Sequence, residues 1–181
     1  ITINGNGTVT GLTALPKSAM ASGSVLQVIQ TYRTSQFSES VASGNYSAAV
    51  MTAAITPTSS SNKILVLCTV HISTGSGTNG AQARIARDGT AIGIADADGS
   101  RTRATGAGMG SSAVNRMQSN VQMTFLDSPS STSALSYTAH IKPGFSGTQD
   151  VYLNREGGGH STDGSNVGLS ASSLTLMEIA S

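Results

Sequence analysis

The sequence contains few of the residues on which catalytic, metal-binding and membrane-spanning proteins usually depend. It has one cysteine and no tryptophan, and charged residues make up only 10% of its 181 positions. The single Cys68 excludes an intrachain disulfide framework. No apolar run reaches the roughly 18 residues that mark a membrane helix, and a net charge of +1 is too small for a nucleic-acid-binding surface. We therefore expect neither a nucleic-acid partner nor insertion into a membrane.

The composition that remains favours an all-β domain. Glycine occurs 21 times and hydrophobic residues make up 38% of the chain, which fits short strands joined by tight turns around one core. The helical period is almost absent. Because the chain begins at Ile1 with no initiator methionine, we expect it to be a fragment of a longer polypeptide or a processed chain.

The most continuously apolar run is residues 62–73, with the sequence NKILVLCTVHIS. Its period of two and its β-branched residues predict a central strand. One face of that strand is apolar throughout and consists of Ile64, Val66, Cys68, Val70 and Ile72. The other face holds Leu65 and Leu67, each of which gains about 1.5–3 kcal/mol on burial. We predict a sandwich core on the first face, with Cys68 as an inert thiol, and a subunit interface through Leu65 and Leu67 on the second.

Alternation and β-branched content predict further strands. They cover residues 25–33, 47–55, 121–125, 135–142, 148–154 and 172–180. In the strand 47–55, the residues on one face are Ala49, Met51, Ala53 and Ile55. The strands 121–125 and 135–142 should each have one face in water. In the last strand, a change of phase after Leu176 predicts a β-bulge or burial on both faces.

A hairpin over residues 81–95 is predicted together with its register. Asp88 and Gly89 form the pair favoured in a two-residue type I′ turn, in which both central residues need a positive φ. Counting outward from the turn places Ile85 opposite Ile92 on one face.

The fold class predicted from these elements is all-β: an antiparallel, jelly-roll-like β-sandwich of about eight or nine strands. Residues 24–181 form this globular head. Residues 1–23 form a shaft-like β lead and a linker, because apolar and polar residues alternate around closely spaced glycines up to residue 12. If strands alternate in direction, the loops 34–46, 74–80, 96–116 and 143–147 share the end away from the lead.

No motif in the sequence predicts a catalytic residue, a cofactor or a metal site. The histidines His71, His140 and His160 have no cysteine or carboxylate at ligand spacing. The segment 96–99 lacks the later ligands of a calcium loop, and the glycine runs at 106–110 and 157–159 do not open a helix as a phosphate-binding loop does. We therefore expect solvated or hydrogen-bonded histidines, a turn at 96–99, and no enzyme.

The loop 96–116 carries a large share of the few charges. These residues are Asp96, Asp98, Arg101, Arg103 and Arg116. One interpretation is a solvated loop. The other is a receptor-binding loop for an anionic or polyhydroxyl ligand, because arginine presents forked donors to carboxylates and phosphates and loops on a rigid sandwich often carry binding.

The order of several motifs resembles a domain found at the ends of tail-fibre and other virion surface proteins of tailed bacteriophages, many of them marine. The motifs are TPTSSSNKILVLCTVHIS, ARIARDGTAIG, TFLDSPSSTSALSYTAHIK, DVYLNRE and LTLMEIA. The resemblance covers roughly residues 24–181. It implies a β-sandwich head that forms a homotrimer, with no catalytic residues and with variable loops.

We accordingly expect a non-enzymatic virion surface protein. The first hypothesis is a tail-fibre head that attaches to a host-surface glycan or outer-membrane component and joins other virion proteins through its lead. The second is a structural capsid decoration, collar or fibre spacer without receptor binding. The third, a polysaccharide depolymerase, lacks aromatic residues beside its carboxylates.

Overall fold

The computed structural model describes residues 2–3, 9–10, 16–75, 80–108, 118–144, 146–157 and 168–181. Within these ranges the chain forms β-strands and one short 3₁₀ turn, Lys17–Ala19. The strands are β1 (Thr2–Ile3), β2 (Val9–Thr10), β3 (Val25–Arg33), β4 (Phe37–Val41), β5 (Met51–Ile55), β6 (Lys63–Thr74), β7 (Ala81–Arg87), β8 (Thr90–Ile92), β9 (Gly106–Gly108), β10 (Ser119–Asp127), β11 (Leu135–Pro143), β12 (Gln149–Leu153) and β13 (Ser172–Ile179).

Strands β3 to β13 form two antiparallel sheets, which confirms the predicted all-β sandwich, and β1 and β2 form a separate two-stranded sheet. In the six-stranded sheet, β6 pairs with β10 along one edge. Its other edge is shared, because β13 pairs with residues 63–69 and β12 with residues 72–74. Strand β3 continues the sheet from β13, and β4 continues it from β12. The five-stranded sheet has the order β5, β11, β7, with β8 and β9 sharing the last edge.

The core lies between the two sheets and contains the predicted face of β6. All five residues of that face are at most 2% exposed. They belong to one buried cluster with residues of the five-stranded sheet, among them Ile85, Tyr137 and Ile141. Burial raises the pKa of Cys68 to about 12, so the thiol stays protonated and poorly nucleophilic, as predicted.

The predicted hairpin is confirmed in every detail of its register. Ile85 lies opposite Ile92, and Arg87 lies opposite Thr90. Asp88 has a φ of 47° and Gly89 a φ of 81°, which are the left-handed conformations that a type I′ turn requires.

Two strands were not predicted. Residues 37–46 were expected to be a polar loop, yet β4 occupies Phe37–Val41 at the edge of the six-stranded sheet. An edge strand has little apolar surface to bury, so its alternation is weak. Strand β9 lies inside the stretch 96–116 and packs closely on β10. A Cβ added to Gly106 would lie 2.7 Å from Val121 Cγ1, and one added to Gly108 would lie 2.5 Å from Ser119 Cβ.

The strand predicted at 47–55 begins only at Met51, and Ala49 is exposed instead of facing the core. The preceding residues follow β11 irregularly, because the backbone N–H groups of Ser47 and Val50 donate to the carbonyls of Ile141 and Ala139. The predicted change of phase after Leu176 is absent from β13, because Leu174, Leu176 and Glu178 are buried while Met177 and Ile179 are half-buried. A register shift does occur between Glu178 and Ile179, but the additional residue, Leu26, is on β3.

The predicted lead is described only in part. Strands β1 and β2 pair with each other within the chain. Residues 16–24 join the sandwich where β13 ends, because Gly23 N–H donates to the Ala180 carbonyl at 2.8 Å. We call this end the lead end. The opposite end, the far end, holds the connections after Val41, Thr74 and Pro143.

A buried carboxylate closes the lead end. Glu178 is 0% exposed, and its Oε1 accepts hydrogen bonds from Thr58 N, Thr58 Oγ1 and Asn62 Nδ2 at 2.6–2.7 Å. Its Oε2 accepts from Gln27 Nε2 at 2.7 Å. Burial alone would raise the pKa of Glu178, but the hydrogen bonds outweigh it and the pKa lies below its ordinary value. An ionised Glu178 therefore ties the 56–62 turn to β3 and β13.

Glu178→Gln should lower the free energy of unfolding at neutral pH by about 2–3 kcal/mol. The NH₂ group that replaces one carboxylate oxygen faces a hydrogen-bond donor and cannot accept from it. A carboxylate whose pKa is lowered in the folded state stabilises that state at pH values above its unfolded pKa of about 4.3. This stabilisation is lost as the pH falls through the folded-state pKa. The variant should therefore be less sensitive to acid than the wild type. Urea unfolding at neutral and acidic pH measures both effects. Glu39→Gln is the control, because among the described residues its carboxylate accepts a hydrogen bond from the Ala48 N–H alone. Equal acid sensitivity of Glu178→Gln and the wild type would contradict the assignment.

Candidate functional site

The predicted receptor-binding loop is held by its own contacts. Asp98 and Arg101 form an exposed ion pair across a turn at Gly99. Arg103 Nε donates to the Ala95 carbonyl at 2.5 Å. The turn predicted at 96–99 is thus present. Asp96 is exposed, and Arg116 lies outside the described residues.

The same loop rests on a group of side chains that the sequence did not predict. Tyr46 Oη donates to the Arg103 carbonyl at 3.1 Å, and Lys142 Nζ donates to Thr102 Oγ1 at 2.9 Å. Residues 102–103 are therefore fixed above the outer face of the five-stranded sheet, close to the far end.

This group, which we call the Tyr46 cluster, consists of Tyr46, Gln82, Arg84, His140 and Lys142. The strand register creates it, because His140 lies opposite Arg84 and Lys142 lies opposite Gln82 on the outer face of β7 and β11. The Arg84 guanidinium lies 4.1 Å from the centre of the Tyr46 ring, and Lys142 Nζ lies 5.9 Å from it. The aromatic face thus attracts two neighbouring cations.

The electrostatics of the Tyr46 cluster are unbalanced. Lys142 is only 5% exposed, and burial lowers the pKa of its ammonium group below the ordinary value. Among the described residues, the ion pairs are Arg87 with Asp127 and Arg101 with Asp98, so neither Arg84 nor Lys142 has a carboxylate partner there. Two adjacent cations without an anion form an electropositive position.

Two buried polar atoms of the cluster also lack partners. Arg84 Nε is a donor and Gln82 Oε1 an acceptor, and neither makes a hydrogen bond. By contrast, both ring nitrogens of His140 are engaged, at 2.9 Å from the Ser47 carbonyl and at 2.9 Å from Thr138 Oγ1. The hydrogen-bonded histidine was expected. The unmatched donor and acceptor were not.

The expectation that β11 has one face in water was wrong at its far end. Lys142 is covered by residues that come from two distant loops, at positions 46 and 102. The only signal in the sequence was the alternation of His140 and Lys142 on one strand face, which does not reveal which loops cover that face.

A second set of charged residues has a structural role. Asp127 Oδ2 accepts hydrogen bonds from Tyr137 Oη at 2.7 Å and from Arg87 Nη1 at 2.6 Å. Burial, followed by the hydrogen bond and charge of Asp127, raises the pKa of Tyr137 above its ordinary value. Because Asp127 belongs to the six-stranded sheet and its partners to the five-stranded sheet, these bonds tie the two sheets together.

The outer face of the six-stranded sheet is apolar where Leu65 lies. Register places Leu126, Leu65, Met177 and Val28 in one row across four strands. Val28 is 52% and Leu126 48% exposed, while Leu65 and Met177 are half-buried. Leu67 is half-buried in the next row, between Thr124 and Thr175. Both predicted interface residues are thus half-buried on the outer face: Leu65 lies within the apolar strip formed by Leu126, Leu65, Met177 and Val28, and Leu67 lies beside it.

No cluster of three or more histidine, cysteine, aspartate or glutamate side chains that could hold a metal is found in the described ranges. Likewise, no helix in this part of the chain is long and apolar enough to cross a membrane.

No family model matches the chain, and no curated protein matches it. Among solved structures, it is similar to VP2 of infectious bursal disease virus in a subviral particle, with 15% identity over 86% of this chain and a TM-score of 0.41. A structure of the Gt strain of the same virus has 17% identity over 96% of this chain and a TM-score of 0.43. The chain spans 37% and 43% of the lengths of these two proteins. Likenesses at this level carry no argument, so the fold assignment rests on the strands themselves.

Tyr46→Ala should raise the pKa of Lys142 towards its ordinary value, because removal of the ring admits water to the ammonium group. NMR titration of the Lys142 side chain measures this shift. Tyr46→Phe is the matched control, since it keeps the ring and removes only the hydrogen bond to the Arg103 carbonyl. A shift in the phenylalanine variant as large as in the alanine variant would contradict the role assigned to the ring.

Proposed function

We propose that the chain is a non-enzymatic virion surface module of a tailed bacteriophage: a trimeric fibre head that attaches to a glycan or outer-membrane component of the host surface. The observation that carries this proposal is the uncharged apolar strip on the outer face of the six-stranded sheet. It is supported by the resemblance in motif order and by the opposite placement of the lead and the far-end loops.

The apolar strip supports assembly of identical subunits. Burial of an exposed Leu or Val side chain contributes up to about 1.5–3 kcal/mol, and the row through Leu65 crosses four strands. The next two rows towards the far end contain only Thr, Leu, Gln, Ser and Tyr: they are Thr124, Leu67, Thr175 and Gln30, and Gln122, Thr69, Ser173 and Tyr32. These three rows carry no formal charge, so copies of this part of the face can approach without like-charge repulsion, and the exposed Lys63 lies at its lead-end margin.

The two ends of the sandwich support attachment to a host. The lead joins at one end, through the bond between Gly23 and Ala180. Strands β4, β6 and β11 end at the other, and the Tyr46 cluster is close to these strand ends. A fibre head needs this arrangement, because its anchoring end and its binding end must point in opposite directions. Three linked copies of a weak binding site would also bind a host surface with a higher overall avidity than one copy.

The positions of Glu178 and Asp127, two of the three buried carboxylates among the described residues, support a role other than catalysis. Glu178 accepts four hydrogen bonds, and Asp127 is bound by Arg87 and Tyr137. Carboxylates held in this way contribute to the fold, whereas glycoside hydrolysis needs a pair that faces the substrate.

The second candidate, a capsid decoration, collar or fibre spacer, is favoured by one observation. Arg101 and Arg103 both use their guanidinium groups within their own loop. A loop braced in this way is consistent with a purely structural part of the virion. Localisation of the protein to the capsid or collar in virion images would favour this candidate.

The double variant Leu65→Ser/Leu126→Ser should convert a trimer into monomers, because each substitution removes about 1–2 kcal/mol of apolar burial per subunit. Sedimentation velocity at micromolar concentration measures the change. Leu169→Ser, at a leucine that is 67% exposed and outside the strip, should leave the trimer intact. A stable wild-type monomer at this concentration would refute the assembly.

The wild-type protein should adsorb to host cells and release no reducing sugar from their surface polysaccharide. The double variant Arg101→Ala/Arg103→Ala tests the loop predicted from sequence: reduced adsorption would support its role as a receptor contact. Unchanged adsorption would exclude this loop. Release of reducing sugar would instead favour the depolymerase.

A further inference from the structure

We infer that identical subunits meet through the two margins of the outer face of the six-stranded sheet, with the β10 margin of one copy against the β3 margin of the next. In this contact Leu126 packs on Val28 of the neighbouring copy. The inference rests on the proposed function and deepens it by naming the two surfaces that meet.

The most exposed apolar side chains of this face lie at its margins. Strands β10 and β3 each pair with one strand of this sheet among the described residues, so they form its edges in the half nearest the lead. Leu126 on β10 is 48% exposed, and Val28 and Val25 on β3 are 52% and 50% exposed. Leu65 and Met177, which lie between the margins, are only half-buried. The side chains with most to gain from a partner therefore lie where neighbouring copies would touch side by side.

The register of the sheet determines which residues meet. The lead joins at one end of the strands and the far end is opposite to it, so the symmetry axis of a fibre runs along the strands. Rotation about such an axis leaves every row of the sheet at its own height. Each residue of β10 therefore meets the β3 residue of its own row in the next copy.

The side chains matched in this way are chemically complementary. The first row joins two apolar side chains, and each of the next two rows joins a hydroxyl group to a side-chain amide, which can hydrogen-bond to each other. All six side chains are exposed and uncharged. The pairs are Leu126 with Val28, Thr124 with Gln30, and Gln122 with Tyr32.

The size of the face fits a specific contact. Strands β10 and β3 have nine residues each, and β6 and β13 lie between them. Four strands of this length cover about 30 Å by 19 Å, because strands rise about 3.3 Å per residue and lie about 4.8 Å apart. This flat area, enlarged by the relief of the side chains, is of the order of the roughly 800 Å² that each partner buries in a specific interface.

A contact between unlike margins also sets the type of assembly. It is heterologous, and a heterologous contact closes into a ring when the rotation between copies allows it. A face-to-face pair would instead stop at two copies. The ring is favoured here because the exposed apolar side chains are at the margins and not at the centre of the face.

Paired cysteines test the contact in the full chain. The double variant Val28→Cys/Leu126→Cys and the two single variants are oxidised with copper phenanthroline and run on a denaturing gel without reductant. We expect the double variant to form covalent species that end at the trimer, because a disulfide needs Cα atoms within about 7 Å of each other. Each single variant should run as a monomer, since like margins do not meet. The native Cys68 is 2% exposed and should form no cross-link.

The matched control is Val28→Cys/Gln122→Cys. Gln122 is exposed on the same strand as Leu126 but lies about 13 Å from it along the strand, so this variant should give at least tenfold less covalent trimer. Thermal unfolding checks that every variant folds. If the disulfide fails to form, the comparison is repeated with a bis-maleimide shorter than this displacement.

The outcomes separate this contact from the assembly itself. Single variants that cross-link into dimers, or a double variant whose covalent species end at the dimer, would overturn the inference. Equal cross-linking of the Gln122 control would overturn the register. A wild type that sediments as a trimer while neither reagent links the double variant would overturn the contact and leave the trimer standing. A wild-type monomer would refute the trimer of the proposed function, and this contact with it.

Discussion

The burial of one face of β6 is the constraint on which the rest of the structure depends. Its five inward residues are at most 2% exposed, and the strand is hydrogen-bonded on both edges, so it has no freedom to shift. A slip of one residue would expose all five and bury Lys63 and His71 instead. Strands β10, β12 and β13 take their register from β6, and β3 and β4 take theirs from β13 and β12.

Local chemistry made the core and the hairpin predictable. Alternation identified the buried face of β6, and Asp88-Gly89 determined the register of Ile85 and Ile92, because a two-residue turn allows only one pairing. Strand β4 could not be found, since an edge strand such as FSESV carries little apolar pattern. The Tyr46 cluster was equally hidden. It depends on the pairing of β7 with β11 and on two loops far apart in the chain, none of which a local pattern encodes.

The two outer faces of the sandwich have opposite characters. The face of the six-stranded sheet carries an apolar row through Leu65, in which Val28 and Leu126 are exposed, and this row is suited to contact with protein. The face of the five-stranded sheet carries the cations Arg84 and Lys142 beside Tyr46, together with two buried polar atoms that lack hydrogen-bond partners. Because the faces point away from each other, assembly through the first would leave the second open in every subunit. Avidity and recognition then depend on different residues.

The shared edge of β6 has an evolutionary consequence. Strands β13 and β3 occupy the half of this edge nearest the lead, whereas β12 and β4 occupy the half nearest the far end. Only β13 and β12 hydrogen-bond to β6 directly, and they do so at separate segments of it. Insertions beside β4 and β12 can therefore accumulate without disturbing the half that joins the lead.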